Sequence, residues 1–345
     1  MTDEQFTPLA ERYMDTVFRV AYSYLRCRDD ADDVTQDVLI QLYKEDKAFE
    51  SDAHVKNWLI RVTVNRCKNV LRAPWHKAED IANVELRPRF VGMVDDTAEG
   101  AEVLRKLKNH KVNTDYVAVT QDGMGMWLAV FNNGGDIAGS ISKRPTSDAM
   151  LRMLEEKGDE IFADADSIVI EIDLDKELIK TVFRYAEKYH KKVYAVVANM
   201  SIASQRRDFL QSIDCFVCNE QEAGILFVCD FSGLTPEELC EELSRRVVSA
   251  RIPSMVVTMG SRGAVYADMH GDKGVYPAQK VTVRDTTGAG DAFCAGVAIG
   301  LTYKKSMREA VEIGTRLAAS VITASENVCP RFRPRELGLD VEVES

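Results

Sequence analysis

The chain has 345 residues, 46% of them hydrophobic and 29% charged, which is typical of a globular protein with two domains or one large domain with an appendage. Its net charge of -11 argues against bulk affinity for nucleic acid, and no apolar run reaches the roughly 20 residues of a membrane span. The N-terminal residues lack the pattern of a signal peptide, so we expect a cytoplasmic protein without a membrane partner.

Residues 5 to 72 are predicted to form helices only, because apolar residues recur there at three- and four-residue spacing. The acidic tract at residues 28–33 suits the start of the second helix. From Lys56 to Lys77 there are six basic residues and no acidic one, so a local basic surface is expected despite the negative total.

After a polar stretch at residues 76–89, short apolar runs alternate with amphipathic helices. Strands are predicted at 116–120, 127–131, 167–172, 193–197, 215–218 and 254–258, and helices at 98–110, 148–157, 176–190, 235–249 and 290–301. This alternation predicts an α/β fold with a mostly parallel sheet covered on both faces. Asn133-Gly134 predicts a hairpin turn, and the pair Cys215 and Cys218 is interpreted as core thiols.

A glycine-rich turn opens the last of these helices and is followed by Asp291. Free N–H groups at a helix N-terminus and the helix dipole both favour an anion. Phosphoryl transfer needs such donors together with a carboxylate that orients the attacking hydroxyl. Taken alone, the same turn also fits an ordinary loop between a strand and a helix.

Residues 285–296, DTTGAGDAFCAG, resemble the C-terminal signature of the ribokinase-like (PfkB) carbohydrate kinases. The resemblance implies a three-layer α/β/α fold and ATP-dependent transfer of a phosphoryl group to an alcohol group of a sugar or nucleoside. It also implies that Asp291 is the catalytic base. The implied anion hole consists of the backbone amides of Gly288, Ala289 and Gly290.

Two further tracts occur in the order that this family requires. Residues 256–264 are similar to its strand and glycine turn beside the nucleotide. This similarity implies an ATP site lined by Thr258, Gly260 and Gly263. Residues 218–222 resemble its Asn-x-x-Glu motif, which implies that Asn219 and Glu222 organise the water shell of Mg²⁺. By themselves, these two residues also fit a helix cap.

The resemblance further implies a monovalent cation such as K⁺ beside the anion hole, held by Asp285 and Thr287. Residues 324–330 differ from the family's glycine-containing loop, which counts against that cation. The family's first strand, lid strands and Gly-Gly substrate turn are not found ahead of Phe90, and Gly134-Gly135 is interpreted as a turn and not as that motif. The nucleotide half is therefore predicted to be complete and the acceptor half shortened.

Residues 6–75 resemble region 2 of the sigma-70 family, specifically the extracytoplasmic-function factors, through the tracts 22–39 and 58–72. The resemblance implies docking on the RNA polymerase core through Asp33, Gln36 and Asp37. It implies contact with melted promoter DNA through Asn57, Trp58, Arg61, Asn65, Arg66 and Lys68. An aromatic side chain beside a basic helical face suits single-stranded DNA. The alternative is that Trp58 belongs to the core and the basic residues form a solvated face.

We therefore divide the chain into a helical domain at 1–78, a junction at 79–89, a kinase-like domain at 90–337 and a tail at 338–345. Three interpretations stay open: a sugar or nucleoside kinase with a sigma-like module, a transcription protein whose kinase-like region is a sensor or scaffold, and a chimeric gene product. The phosphate acceptor and the oligomeric state, including a homodimer, are left undecided by the sequence.

Overall fold

The computed structural model describes residues 3–25, 28–45, 49, 51–72, 86–131, 137–197, 200, 204–324, 337 and 339. The chain forms two compact units, one of Met1–Val84 with Arg331–Ser345 and one of Glu85–Pro330. The boundary between Val84 and Glu85 lies within the predicted junction at residues 79–89. Leu337, which we placed with the α/β region, groups instead with the first unit, as does Leu339, and both side chains are buried.

The first unit contains three helices, α1 (Asp3–Leu25), α2 (Arg28–Tyr43) and α3 (Asp52–Arg72). Each helix contributes one apolar stripe to a shared core, which includes Val17, Val38 and Leu59. This arrangement follows from the three- and four-residue spacing, because such residues lie on one face of a helix. Among the described residues, no helix is both long and apolar enough to cross a membrane.

The second unit alternates strands and helices from residue 89 onward. Its elements are β1 (Arg89–Val94), α4 (Ala98–Asn109), β2 (Asn113–Val119), β3 (Met126–Phe131), β4 (Ile137–Lys143), α5 (Asp148–Ala163), β5 (Ser167–Glu171), α6 (Lys176–Lys188), β6 (Lys192–Val196), α7 (Arg207–Leu210), β7 (Cys215–Asn219), α8 (Glu220–Phe227), α9 (Pro236–Ala250), β8 (Ser254–Thr258), β9 (Ala264–Asp268), β10 (Lys273–Tyr276), α10 (Ala289–Thr302) and α11 (Met307–Thr323).

Six strands form the main sheet in the order β10-β9-β8-β7-β6-β5. Strands β5 to β8 are parallel, and β9 is antiparallel to both of its neighbours. Phe216 and Cys218 of β7 pack in a cluster with α6 and α9, whereas Cys215 and Val217 pack in a cluster with α10 and α11. Because successive strand residues face opposite sides, helices cover both faces of the sheet. The predicted α/β/α fold is thus confirmed, and the two cysteines are core thiols on opposite faces.

Two smaller sheets complete the second unit. Strands β1 and β2 pair in parallel, and β3 and β4 pair antiparallel as a hairpin. The predicted turn at Asn133-Gly134 lies outside the described residues, but the strands on either side of it pair as expected. Strands β1, β4, β9 and β10 and helices α7, α8 and α11 were not among the predicted elements.

Candidate active site

The turn ahead of α10 is held by its own backbone. Gly288 caps this helix in the left-handed region, with φ of 80°, where glycine is favoured. The amide of Thr287 donates to Oδ1 of Asp285 at 2.8 Å, and this bond lowers the pKa of the Asp285 carboxyl. The amide of Ala289 donates to the carbonyl of Thr286 at 3.2 Å, so one of the three predicted anion-hole donors is already engaged within the turn.

Gly290 and Asp291 occupy the first turn of α10, where amides have no carbonyl of the preceding helical turn to bond. Apart from its chain neighbours and its own helix backbone, a Cβ atom placed on Gly290 would meet no atom of the described residues within 4 Å, so the described structure leaves open space beside this turn. Asp291 is exposed, and its carboxylate makes no hydrogen bond or ion pair with any described residue. The helix N-terminus therefore presents anion-binding amides next to an unpaired carboxylate.

Three further carboxylates, of Glu171, Asp173 and Glu222, are linked to Asp291 by their mutual charge effects, directly or through one another. Burial raises the pKa of Glu171, at the end of β5, and the charges of Asp173 and Asp291 raise it further while Arg144 opposes them. Burial also raises the pKa of Glu222, which is sensitive to the charge of Asp173. These four acids thus share one region of the sheet edge, where ligands of open α/β sheets bind.

Sequence reasoning missed Glu171 and Asp173. The available signal was their position, since Glu171 ends β5 and Asp173 lies two residues beyond it, and side chains at the carboxyl ends of parallel strands meet at one edge. Arg144 was missed because it follows a strand that was not predicted. It donates to Asp173 from both terminal nitrogens of its guanidinium group.

Asn219 and Glu222 form a capping box at the start of α8. The amide of Glu222 donates to Oδ1 of Asn219 at 2.8 Å, and the amide of Asn219 donates to Oε2 of Glu222 at 2.7 Å. The helix-cap alternative is therefore what the structure shows. Oε1 of Glu222 makes no hydrogen bond with any described residue, so the cap leaves one carboxylate oxygen for a ligand.

The predicted nucleotide-lining residues follow β8. Thr258 pairs with Asn219 across β7 and β8, and its hydroxyl donates to the carbonyl of Cys218 at 3.5 Å. Gly260 has a φ of 57°, and a Cβ atom there would meet nothing within 4 Å. Gly263 differs, because a Cβ atom there would lie 2.1 Å from the carbonyl oxygen of Tyr276. Close approach to β10 therefore explains this glycine without a ligand.

The structure adds no support for the monovalent cation. Asp285 and Thr287 are joined by the hydrogen bond within their own turn. Among the described residues, no group of three or more His, Cys, Asp or Glu side chains is arranged to hold a metal ion. The K⁺ site stays a prediction from resemblance.

The helical unit presents most of its predicted contact residues to solvent. Exposed positions are Asp33 and Gln36 on α2, and Asn57, Arg61, Asn65, Arg66 and Lys68 on α3. Asp37 is half-buried, and Arg66 Nη1 lies 3.5 Å from its Oδ2, so one acidic and one basic candidate pair with each other.

The assignment of Trp58 to DNA contact is corrected by its burial. Its side chain is only 8% exposed and packs edge to face on Phe49, with ring centroids 5.6 Å apart. A ring enclosed in the helical core has no open face on which a base can stack. Trp58 is therefore a core residue, as the alternative interpretation expected.

A three-layer α/β unit with a glycine turn opening a helix beside carboxylates at the strand ends has the geometry that suits a bound phosphate group. The family model of the pfkB family carbohydrate kinases matches residues 78–328, and the chain belongs to this family. The Sigma-70 region 2 model matches residues 9–77, immediately ahead of it.

Individual relatives agree with the family assignment. The chain is 34% identical over 252 residues to a guanosine-inosine kinase of Exiguobacterium acetylicum, covering 72% of this chain and 82% of that protein. It is 24% identical over 238 residues to a ribokinase of Schizosaccharomyces pombe, covering 68% of this chain and 73% of the relative. The structure of Arabidopsis thaliana ribokinase with ribose and ATP matches with a TM-score of 0.61 at 20% identity, covering 74% of this chain and 83% of that one, which establishes a shared fold.

Proposed function

We propose that the second unit is an ATP-dependent kinase that phosphorylates an alcohol group of a nucleoside or sugar, a purine nucleoside being the first candidate. The observation that carries this proposal is the unpaired carboxylate of Asp291 in the first turn of α10, beside the open space at Gly290. The 34% identity to a guanosine-inosine kinase supports a nucleoside acceptor.

Each residue has a distinct task in this proposal. The carboxylate of Asp291 accepts the proton of the acceptor hydroxyl and orients its oxygen. The amides at the start of α10 stabilise negative charge on the transferred group, because they point out of the helix and add to its dipole. When bound, Mg-ATP supplies the phosphoryl group and neutralises part of its charge. Oε1 of Glu222 and the side chain of Asn219 would hold the water shell of Mg²⁺, while Thr258 and Gly260 would line the nucleotide site.

The proposal is tested with the full-length chain, Mg-ATP and a panel of guanosine, inosine, adenosine and ribose, by following the phosphorylated product. Asp291→Asn is expected to lower kcat by about 10²–10⁴, the contribution of a positioned general base, with ATP affinity retained. Glu156→Gln, an exposed position on α5, is the matched control and should behave as wild type. Equal turnover of the Asp291→Asn variant would refute the assignment of the base.

A second candidate function, transcription initiation with the second unit as sensor or scaffold, is favoured by the exposed acidic face of α2 and basic face of α3. Binding of the full chain to core RNA polymerase tests it. A chimeric gene product would also explain why the two family matches meet at residues 77 and 78. Genomic DNA across codons 70 to 95 from an independent isolate tests that alternative.

A further inference from the structure

Arg144 links the β3–β4 hairpin to Asp173, one of the four acids at the edge of the sheet. It follows directly on β4, and its guanidinium group holds Asp173 at two points. Nη1 donates to the main-chain carbonyl of Asp173 at 3.0 Å, and Nη2 donates to its carboxylate at 2.5 Å. The Asp173 side chain has no exposed surface, whereas that of Arg144 is 41% exposed. The residue that follows the hairpin is thus bonded to a buried acid in the turn between β5 and α6.

The hairpin has few other attachments among the described residues. Its strands pack chiefly on each other, and three of its apolar side chains, Met126, Leu128 and Ile141, are exposed. Lys143 forms an ion pair with Asp122 at 3.1 Å, but both groups are largely exposed, and such pairs contribute little. A charge-assisted bond to a buried carboxylate, with a second bond to the main-chain carbonyl of the same residue, costs much more to break. Among the contacts of the described residues, the Arg144–Asp173 contact is therefore the strongest polar attachment of the hairpin.

The anchor lies at the β5 end of the sheet edge, away from Thr258 and Gly260, which are predicted to line the nucleotide site. Asp173 follows β5, whereas Thr258 ends β8, three strands away in the main sheet. Neighbouring strands are about 4.8 Å apart, so these positions are separated by roughly 14 Å. The charge of Asp173 nevertheless raises the pKa of both Glu171 and Glu222.

We propose that Arg144 and Asp173 anchor the β3–β4 hairpin at the β5 end of the sheet edge, and that Arg144 is a positioning residue for the acceptor and not for the nucleotide. The acceptor half of this statement rests on the proposed kinase function. The anchor itself is independent of it.

Hydrogen exchange of the hairpin amides in the full-length protein tests the anchor without any turnover. Arg144→Gln is expected to speed exchange in β3 and β4 by about tenfold or more relative to β8, because a hydrogen bond to a charged group is lost. Arg144→Lys should recover part of the protection. Arg105→Gln, which breaks an exposed pair with Glu102 on α4, is the control and should leave the hairpin unchanged. Unchanged exchange in Arg144→Gln would overturn the anchor.

The double variant Arg144→Gln with Asp173→Asn guards against misfolding caused by a lone buried charge. It should fold and show the same loose hairpin as Arg144→Gln. A double variant with wild-type protection would overturn the anchor.

Steady-state kinetics then separates the acceptor claim from the proposed function. With guanosine or inosine as acceptor, Arg144→Gln should raise the acceptor KM by about tenfold and leave the ATP KM within about twofold. An equal rise in the acceptor KM and the ATP KM, or an unchanged acceptor KM, would overturn the positioning role. Absence of turnover in the wild-type chain would count against the proposed function, while the exchange experiment would still decide the anchor.

Discussion

Asn219 and Glu222 cap each other, since the amide of each residue donates to the side chain of the other. The pair implied to organise Mg²⁺ is therefore also the start of α8. One oxygen of Glu222 serves the helix, and the other makes no bond with a described residue. Structural and functional roles of this motif can be separated by comparison with a second capping box in the same unit.

That second box, Thr235 and Glu238 at the start of α9, has the same reciprocal bonds. Glu222→Ala and Glu238→Ala should each destabilise the protein by about 1 kcal/mol through loss of the cap. Only Glu222→Ala should raise the Mg²⁺ concentration needed for half-maximal activity, by roughly 10–100-fold. Urea unfolding and Mg²⁺ titrations measure the two effects. If both variants need the same Mg²⁺ concentration for half-maximal activity, Glu222 acts only as a helix cap.

Gly290 and Gly296 lie on the same helix but meet different surroundings. A Cβ atom on Gly296 would come within 2.6 Å of the Gly314 Cα atom, so Gly296→Ala should destabilise the α10–α11 packing by about 1–3 kcal/mol. Gly290→Ala fills open space and should preserve stability or increase it by roughly 0.5–1 kcal/mol. It should still weaken ATP binding, because the methyl group enters the proposed phosphate site. Thermal melts measure the change in stability, and calorimetric titration measures the affinity for ATP. Full ATP affinity in Gly290→Ala would contradict the proposed anion hole.

Glu171 makes stability depend on pH in a defined direction. Burial raises its pKa above the ordinary 4.5, so the folded chain still holds a proton where the unfolded chain has released it. Stability from this group is therefore highest below pH 4.5 and is lost as pH rises through the raised pKa. Glu171→Gln should be more stable than wild type at neutral pH, and the difference should disappear in acid. Urea unfolding at acid and at neutral pH measures this difference in stability, with Glu156→Gln as control. A constant difference at every pH would contradict the raised pKa.

The basic face of α3 makes a separate prediction for the helical unit. If Arg61 and Lys68 contact phosphates, their joint replacement by Ala should weaken binding to single-stranded DNA and reduce its salt dependence by about 0.7 in log–log slope per contact. Arg19→Ala, which breaks an exposed pair on α1, is the control. Trp58→Phe should lower stability and leave DNA affinity unchanged, because the ring is buried. Equal losses for Arg19→Ala and the double variant would indicate bulk electrostatics alone.

Much of the architecture was predictable from local pattern. The helices of the first unit and the six predicted strands of the second depend on regular apolar spacing, which a short window of sequence contains. Strand β1 was missed because Gly92 interrupts its short apolar run, and β4 because glycine, serine and lysine interrupt its apolar residues. Their pairing partners, β2 and β3, are what make them strands, and pairing is not visible in a local pattern.

The sequence by itself determined the glycine turn at residues 285–291, the carboxylate at Asp291 and the order of the two family regions, because each depends on residues adjacent in the chain. Tertiary structure alone decided that Trp58 is enclosed in a core, that Gly263 is needed for the approach of β10, and that Glu171 and Asp173 join Asp291. These relationships link residues far apart in sequence. They arise only when the strands align in the sheet and bring their carboxyl ends to one edge.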